Sequence, residues 1–485
     1  MLIPVAADTT LPRHERVVMA RKYYDGQHPT QLTVRQREYL QMAANAPEFR
    51  DNYCPIVVDS LAERLTITGF LVEGDKEIMA ANDELKDGTG EPAQTQSDTI
   101  QEWWARNKMD EKQGIQHLSA IRDADSYLIV DWSDEFNIPL FSTGMAWDGE
   151  QGVEVVYSSE SKTVPLFAFK RWKIRGGERL NVYWPDKIEK YKILHKVAGG
   201  AIIAKGVRLF KSVIGSTITP EEVVAAEAGQ WVLLDEKPWI AKDGKPLGVP
   251  VFHYLNRGQG YVYGQSELKD IIPIQNALNK AIIDLVAAAD TTAFRIYTMV
   301  GDDPSNLDVY PGVWVYSDKT KDEVEIGHIP GEDLTALIQF KDAFAFEVAR
   351  VSRTPLSFFQ ISRAVAAEGT LKQEEAGLVA RAKNRQISFG NTWENAITFA
   401  RRLAQTFGSE YEHMNEDMDI SAIWADPETR NDEAQINIFG LKIEKLGVPA
   451  DVVWSEIGYT LEQIKEMKLN PLYKQWKEGE TFWQG

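Results

Sequence analysis

Several short stretches of this chain carry side chains suited to chemistry. Ser266-Glu267-Leu268-Lys269 has the S-x-x-K spacing of a serine acyl-enzyme, in which a lysine one helical turn away activates the hydroxyl. Its companion motifs are missing, and Ser266-Glu267 reads better as the cap and first acidic residue of a helix. Asp302-Asp303 offers hard oxygens to a divalent cation, but Gly301-Asp302-Asp303-Pro304 has the composition of a solvated turn. Lys170-Arg171-Trp172-Lys173-Ile174-Arg175 interleaves cations with an indole, as a nucleic-acid stripe does. On an alternating strand the same pattern is a solvated face, and that reading is favoured. Arg381, Lys383 and Arg385, with Arg401 and Arg402, lie on one long helix; within an oligomer they are expected to meet acids of a neighbouring copy rather than DNA.

Other chemistries lack their signatures. There is no G-x-x-x-x-G-K-[ST] to cradle phosphates, no H-E-x-x-H and no G-x-S-x-G. The seven histidines (14, 28, 117, 195, 253, 328 and 413) show no metal-ligand spacing. Cys54 is the one cysteine, so an intrachain disulfide or a thiolate metal site is excluded, and it reads as a small buried hydrophobe. Neither a cofactor nor catalysis is expected.

The elements that must position any site belong to a folded chain. With 485 residues, 44% hydrophobic and 26% charged, two to four packed units are expected. The net charge of −19 argues against a protein that grips nucleic acid by neutralising phosphates, though not against one that lets DNA slide past. The N-terminus lacks a secretory pattern, and no stretch approaches the ~20 apolar residues of a membrane helix. A cytosolic or virion-internal protein is expected.

Helical patterning covers parts of 13–50, 56–65 and 100–122, with a strand at 66–72 between the last two. From Tyr127 to about residue 255 the period is two, as in Val153–Tyr157, Leu166–Trp172 and Leu180–Trp184, with a lone helix at 219–224. Ile271, Gln275, Leu278, Ile282, Leu285 and Ala289 then form a helical seam, in which Pro273 either opens a new helix or kinks one. Phe294–Val300 and Gly312–Tyr316 read as strands. A second helix begins near Asp333, carries Leu334, Leu337, Ile338, Phe344, Val348 and Val351, and stops before Pro355. Thr370-Leu371-Lys372-Gln373 reads as the capping box of a long helix that ends at Phe407-Gly408. Its second half has an apolar face of Phe389, Trp393, Ala396, Ala400, Leu403 and Phe407; in its first half that face holds Glu375 and Arg385. Residues 409–485 are acidic and read as short helices. The fold class is α+β.

In this order of elements the sequence resembles tailed-bacteriophage portal proteins, in the branch common in phages of Gram-positive hosts. The resemblance is carried by Asn52–Asp59 with Gly69-Phe70, by Gly264–Leu268 with Asn276–Asn279, by Gly369–Lys372 with Arg385-Gln386 and Phe389, and by Trp424-Ala425-Asp426-Pro427. It implies a portal-like architecture: an α/β wing at 1–263, a first stem helix at 264–292, a small β-containing clip at 293–332, a second stem helix at 333–354, a tunnel loop at 355–369, a long kinked wing helix with its return at 370–432 and a helical crown at 433–485.

It further implies a dodecameric ring at one capsid vertex, the channel for double-stranded DNA packaging and ejection. The expected partners are copies of the chain, the DNA, the terminase large subunit, head–tail adaptor proteins, and the major capsid and scaffolding proteins, with no membrane. The virion and, during assembly, the host cytoplasm are the expected locations. The tunnel loop would present Phe358, Phe359, Gln360, Ile361, Ser362, Arg363, Ala364, Val365 and Glu368 to the channel. The clip would present Asp302, Asp303, Asp308, Tyr310, Trp314, Lys319 and Lys321 to terminase and adaptors. Leu278, Ile282, Leu285, Glu375 and Arg385 would lie between subunits. Another self-assembling virion protein, such as an adaptor or baseplate component, is the alternative, and a soluble hydrolase is a further one.

Overall fold

The computed structural model describes residues 11–29, 32, 34–39, 50–75, 95–158, 164–194, 231–258, 262–293, 297–300, 320, 322–328, 334–359, 368–411, 414–428, 439–443, 445, 448, 450–457, 459, 463–464 and 467. Along them run α1 (Arg13–Tyr24), α2 (Val34–Tyr39), α3 (Cys54–Ala62), β1 (Ile67–Val72), α4 (Gln96–Arg106), α5 (Met109–Asp123), β2 (Asp125–Ser133) and β3 (Ile138–Met145). Strands β4 (Gly152–Tyr157), β5 (Pro165–Ile174), β6 (Gly177–Tyr183), β7 (Lys187–Leu194), β8 (Val232–Pro238) and β9 (Val251–Leu255) follow. The chain then forms α6 (Ile272–Ala293), β10 (Tyr297–Val300), β11 (Glu325–His328), α7 (Leu334–Ser352), α8 (Glu368–Phe407), β12 (Ile420–Trp424) and α9 (Ala450–Ile457). The mixture of helix and sheet is that of an α+β protein.

Two compact units are present. The described residues of Lys22–Val57 and Lys269–Val365 make a smaller one; those of Thr10–Arg21, Val58–Leu268 and Ala366–Gly485 make a larger one.

The larger unit is built on a three-stranded sheet of order β3-β2-β9. Both neighbours of β2 are antiparallel to it, and Asp125–Val130 are buried without a break, as a central strand covered on both faces requires. Helices α5 and α8 pack on this sheet. Phe389, Trp393, Ala396, Ala400 and Leu403 of α8 are fully buried, so the apolar face read in its second half is a core face. A second sheet is a five-stranded antiparallel meander, β4 to β8 in chain order, and β12 returns to pair with β1.

Helical patterning over 100–122 resolves into two helices. Asn107 spends its side chain on the Trp103 and Pro139 carbonyls and on the Phe141 amide, and Lys108 turns left-handed with φ 55°, which ends α4. The lone helix expected at 219–224 and the strand at 312–316 lie outside the described residues. The strand that pairs with β10 is β11, whose four residues are too few to show a period in the sequence.

His117 shows how tightly the larger unit closes. Its ring stacks on Phe389 with centroids 5.5 Å apart. Nδ1 donates to the Leu65 carbonyl at 2.9 Å, and Nε2 accepts from the Trp393 indole at 2.9 Å. Both nitrogens are therefore used by the neutral ring, and complete burial pulls the pKa down to about 4. An unfolded histidine titrates near 6.5, so between these values the unfolded chain binds a proton that the folded chain refuses. Stability from this site is whole above pH 6.5 and is lost as pH falls toward 4, by about 3 kcal/mol in all. Thermal melts from pH 7 to 5 should fall more steeply for the native chain than for His117→Gln; equal slopes would contradict a neutral buried imidazole.

Candidate assembly surface

The smaller unit places two helices about a short β pair. Helix α6 opens at Ile272 with Pro273 in its first turn, where the missing N–H costs nothing, so Pro273 starts the helix and does not kink it. Its start is fixed by a buried polar chain. The Gln275 side chain accepts from the Tyr53 amide at 2.9 Å and donates to the Asp51 carbonyl and to Asn279. Asn279 reaches His28 Nδ1 at 2.7 Å, and the Tyr23 hydroxyl donates to Asn276 at 2.8 Å. Two stretches that carry the resemblance, Asn52–Asp59 and Asn276–Asn279, thus meet in one hydrogen-bond network. Cys54 beside it is fully buried, and burial pushes its thiol up to about 12, far from any nucleophile.

Helix α7 is apolar on more than one side. Ala345, Val348, Ala349 and Ser352 are buried, and α7 packs against α6. Phe340 and Phe346, however, are 54% and 51% exposed, and Ile338 and Val351 are exposed as well. Phe340 and Phe344 form an edge-to-face pair at 5.0 Å, a stiff aromatic ridge. A helix that is apolar beyond the face its own chain covers is built to be covered by something else. It ends where Arg353 turns left-handed (φ 52°) and the Thr354 amide returns to the Ala349 carbonyl. A 3-10 turn, Leu356–Phe358, follows, with Phe358 exposed and Phe359 set edge-on to Tyr53 at 5.4 Å.

The residues singled out from the sequence fall unevenly. Phe358 is the last residue of the 3-10 turn and Phe359 follows it as its cap. Gln360, Ile361, Ser362, Arg363, Ala364 and Val365 lie outside the described residues, as do Asp302, Asp303, Asp308, Tyr310, Trp314, Lys319 and Lys321. Glu368 is a correction: it is the first residue of α8, so the helix starts two residues before Thr370, and Thr370 is inside it and not its cap. Leu278 is a second, since it is fully buried in its own chain and is not available to a neighbour. Ile282 and Leu285 are half-buried.

Glu375 and Arg385 also find partners within the chain. Glu375 pairs with Arg64 at 3.3 Å. Arg385 donates to Glu267 at 2.6 Å and to Asn256 at 2.7 Å, while Arg381 reaches the other Glu267 oxygen at 2.8 Å. Lys383 meets Glu428, Arg402 meets Glu416, and Arg401 donates to the Asn415 and Met418 carbonyls. The acids expected from a neighbouring copy are thus supplied by the same chain. Nor does Glu267 begin a helix: it is a buried carboxylate held below its ordinary pKa against the cost of burial by Arg381 and Arg385. Ser266 donates to the Arg122 carbonyl and accepts from the Leu268 amide, which leaves a turn and no activated hydroxyl.

A second buried cluster was not legible from spacing. Asp125 accepts from Arg13 (3.1 Å), His253 Nε2 (2.8 Å) and the Gly264 amide (2.7 Å), and His253 Nδ1 lies 2.8 Å from the Tyr157 hydroxyl. The order Asp-His-Tyr has the outline of a proton relay. Its chemistry is otherwise: burial pushes the Tyr157 phenol well up, while His253 and Arg13 hold Asp125 below the usual carboxylate range against the cost of burial. The tyrosine is therefore a protonated hydrogen-bonding group, and the cluster ties α1 to β2, β4 and β9 by charge. Arg13 lies 112 residues from Asp125, which is why no local motif announced the pair.

Among the described residues no group of histidine, cysteine or acidic side chains is placed to hold a metal ion, and no helix is long and apolar enough to cross a membrane. A family model described as "Phage portal protein, SPP1 Gp6-like" matches residues 10–469. The chain belongs to this family. No curated protein matches it. Membership makes this portal protein a structural component of a phage virion with a head–tail connector role. Portal proteins of this kind form oligomers in contact with capsid and DNA, which gives the uncovered ridge of α7 a setting.

Proposed function

We propose that twelve copies of this portal protein form a ring at one capsid vertex, through which double-stranded DNA is packaged and later ejected. The reading is carried by the family match over 10–469, and the exposed apolar ridge of α7 supports it, because a side-by-side array of copies would bury Phe340, Phe346 and Val351. In this reading α6 and α7 are the stem, 293–332 is the clip that docks terminase and then head–tail adaptors, 355–367 is the tunnel loop, bounded by the start of α8 at Glu368, and 433–485 the crown. A net charge of −19 per copy suits a lumen that repels phosphates, so that DNA slides and does not stick.

The loop provides the test. Ala364→Arg or Ser362→Trp should lower packaging of DNA into heads by tenfold or more while rings form normally. Loss of rings in these variants would make the segment a structural connector and contradict a DNA-facing role.

A further inference from the structure

The polar chain at the start of α6 runs in one direction. At one end its sense is set by backbone groups. Gln275 Oε1 faces the Tyr53 amide at 2.9 Å and must accept, while Gln275 Nε2 faces the Asp51 carbonyl at 2.8 Å and must donate. The same Nε2 donates to Asn279 Oδ1 at 3.2 Å, so Asn279 turns its NH2 toward His28 Nδ1, 2.7 Å away. That ring nitrogen is therefore an acceptor. At the other end His28 Nε2 lies 3.1 Å from the Tyr23 carbonyl, which can only accept, so Nε2 carries the proton. Both ends select the same neutral tautomer.

A second proton on the ring finds no acceptor. It would sit on Nδ1 and point at the Asn279 NH2 across 2.7 Å. Turning the Asn279 amide over would give Nδ1 its acceptor, but would set the Asn279 NH2 against the Gln275 NH2. Turning Gln275 as well would set donor against the Tyr53 N–H and oxygen against the Asp51 carbonyl. Gln275, Asn279 and His28 are all buried, so every arrangement leaves polar groups unmatched away from water.

The groups that face the ring do not relieve this. Tyr23 stacks on it at 4.9 Å, and Arg50, from the segment before α3, donates to the Gly26 and His28 carbonyls. Burial pulls the His28 pKa down; the Tyr23 carbonyl and the Asn52 side chain favour the charged ring, and the Arg50 charge opposes it. Among the described residues no carboxylate forms an ion pair with it.

We propose that His28 is a proton-operated latch: its neutral ring holds the start of α6 to residues 51–53, and its protonation releases them. Phe359, edge-on to Tyr53 at 5.4 Å, carries the release to the turn that follows α7. The latch lies within the smaller unit of a single copy and needs no ring to work. A free histidine titrates near 6.5, so the opened segment takes up a proton that the closed latch refuses. Closure is whole above about pH 6.5 and is lost as the pH falls through the lower value of the closed state.

Hydrogen exchange of the full chain, read by mass spectrometry between pH 8 and pH 5 and corrected for the intrinsic pH dependence of amide exchange, tests this. Protection of peptides from 50–57 and 272–283 should fall on acidification, by about tenfold for each pH unit that closure lowers the His28 pKa, while β2 stays protected. His28→Gln can still donate to the Tyr23 carbonyl and accept from Asn279 but does not titrate, so its protection should stay constant. Asn279→Asp supplies a carboxylate that accepts from a charged His28 and from Gln275, and should abolish the loss or reverse its sign. The native loss reproduced in either variant overturns the proposal, as does a native chain whose two peptides keep their protection at pH 5. Loss in every peptide together is unfolding of the whole chain and overturns it as well.

Discussion

Glu267→Ala should lower folding stability by about 3–5 kcal/mol, because it leaves two guanidinium groups in a buried site without their counter-charge. Arg381 and Arg385 hold separate oxygens of this carboxylate, and Arg257 stands 4.0 Å away. The Glu267 side chain is 6% exposed, so water cannot take its place. Urea midpoints would read the loss. Glu267→Ala with Arg381→Ala should cost less than the sum of the two single changes, since it removes one of the two guanidinium groups that the loss of Glu267 leaves uncompensated and leaves only Arg385 without its partner. A single-variant loss below about 1 kcal/mol would mean that the cluster is solvated and that the arginines of α8 are free for another role.

The second large effect is on assembly and not on folding. Phe340→Ser with Phe346→Ser should abolish ring formation while leaving the thermal midpoint of the unassembled chain nearly unchanged. Both rings are more than half exposed, so within one copy they contribute little burial. Between copies each ring would bury apolar area worth about 1.5–3 kcal/mol, repeated at every interface of a closed ring. Sedimentation would show the variant as slow-moving chains. Rings that persist, with a folded variant, would assign the ridge to a different partner.

What could be read from the sequence divides along physical lines. Local periodicity located β4 to β6, α6, α7 and α8, because each buries one stripe or one face and repeats accordingly. It does not say which of two apolar sides of α7 faces inward: the periodic set Leu334, Leu337, Ile338, Phe344, Val348 and Val351 mixes buried Val348 with exposed Ile338 and Val351, and it omits Phe340 and Phe346. Capping signals were weaker guides, since Ser266 and Thr370 have the right types but lie in a turn and inside a helix. Long-range pairs carried no local signal: Arg385 finds Glu267 118 residues away, and β12 finds β1 across most of the chain.

The resemblance reached further than periodicity, yet gave no reasons. Gly264 shows the difference. A side chain there would place its Cβ 2.1 Å from the Ala124 carbonyl oxygen and 2.6 Å from that of Asn256. The glycine is required by close backbone approach, beside a left-handed Ala124 (φ 80°) between two buried aspartates. Likewise, the Asn52–Asp59 and Asn276–Asn279 stretches matched as separate pieces of wording, and the structure joins them through Gln275 and Tyr53.

Class averages of the purified protein by electron microscopy bear most directly on the claim that this chain is a ring-forming portal. The account predicts closed rings with twelve-fold symmetry and an axial channel. Monomers under all assembly conditions, or a closed particle without a channel, would contradict it.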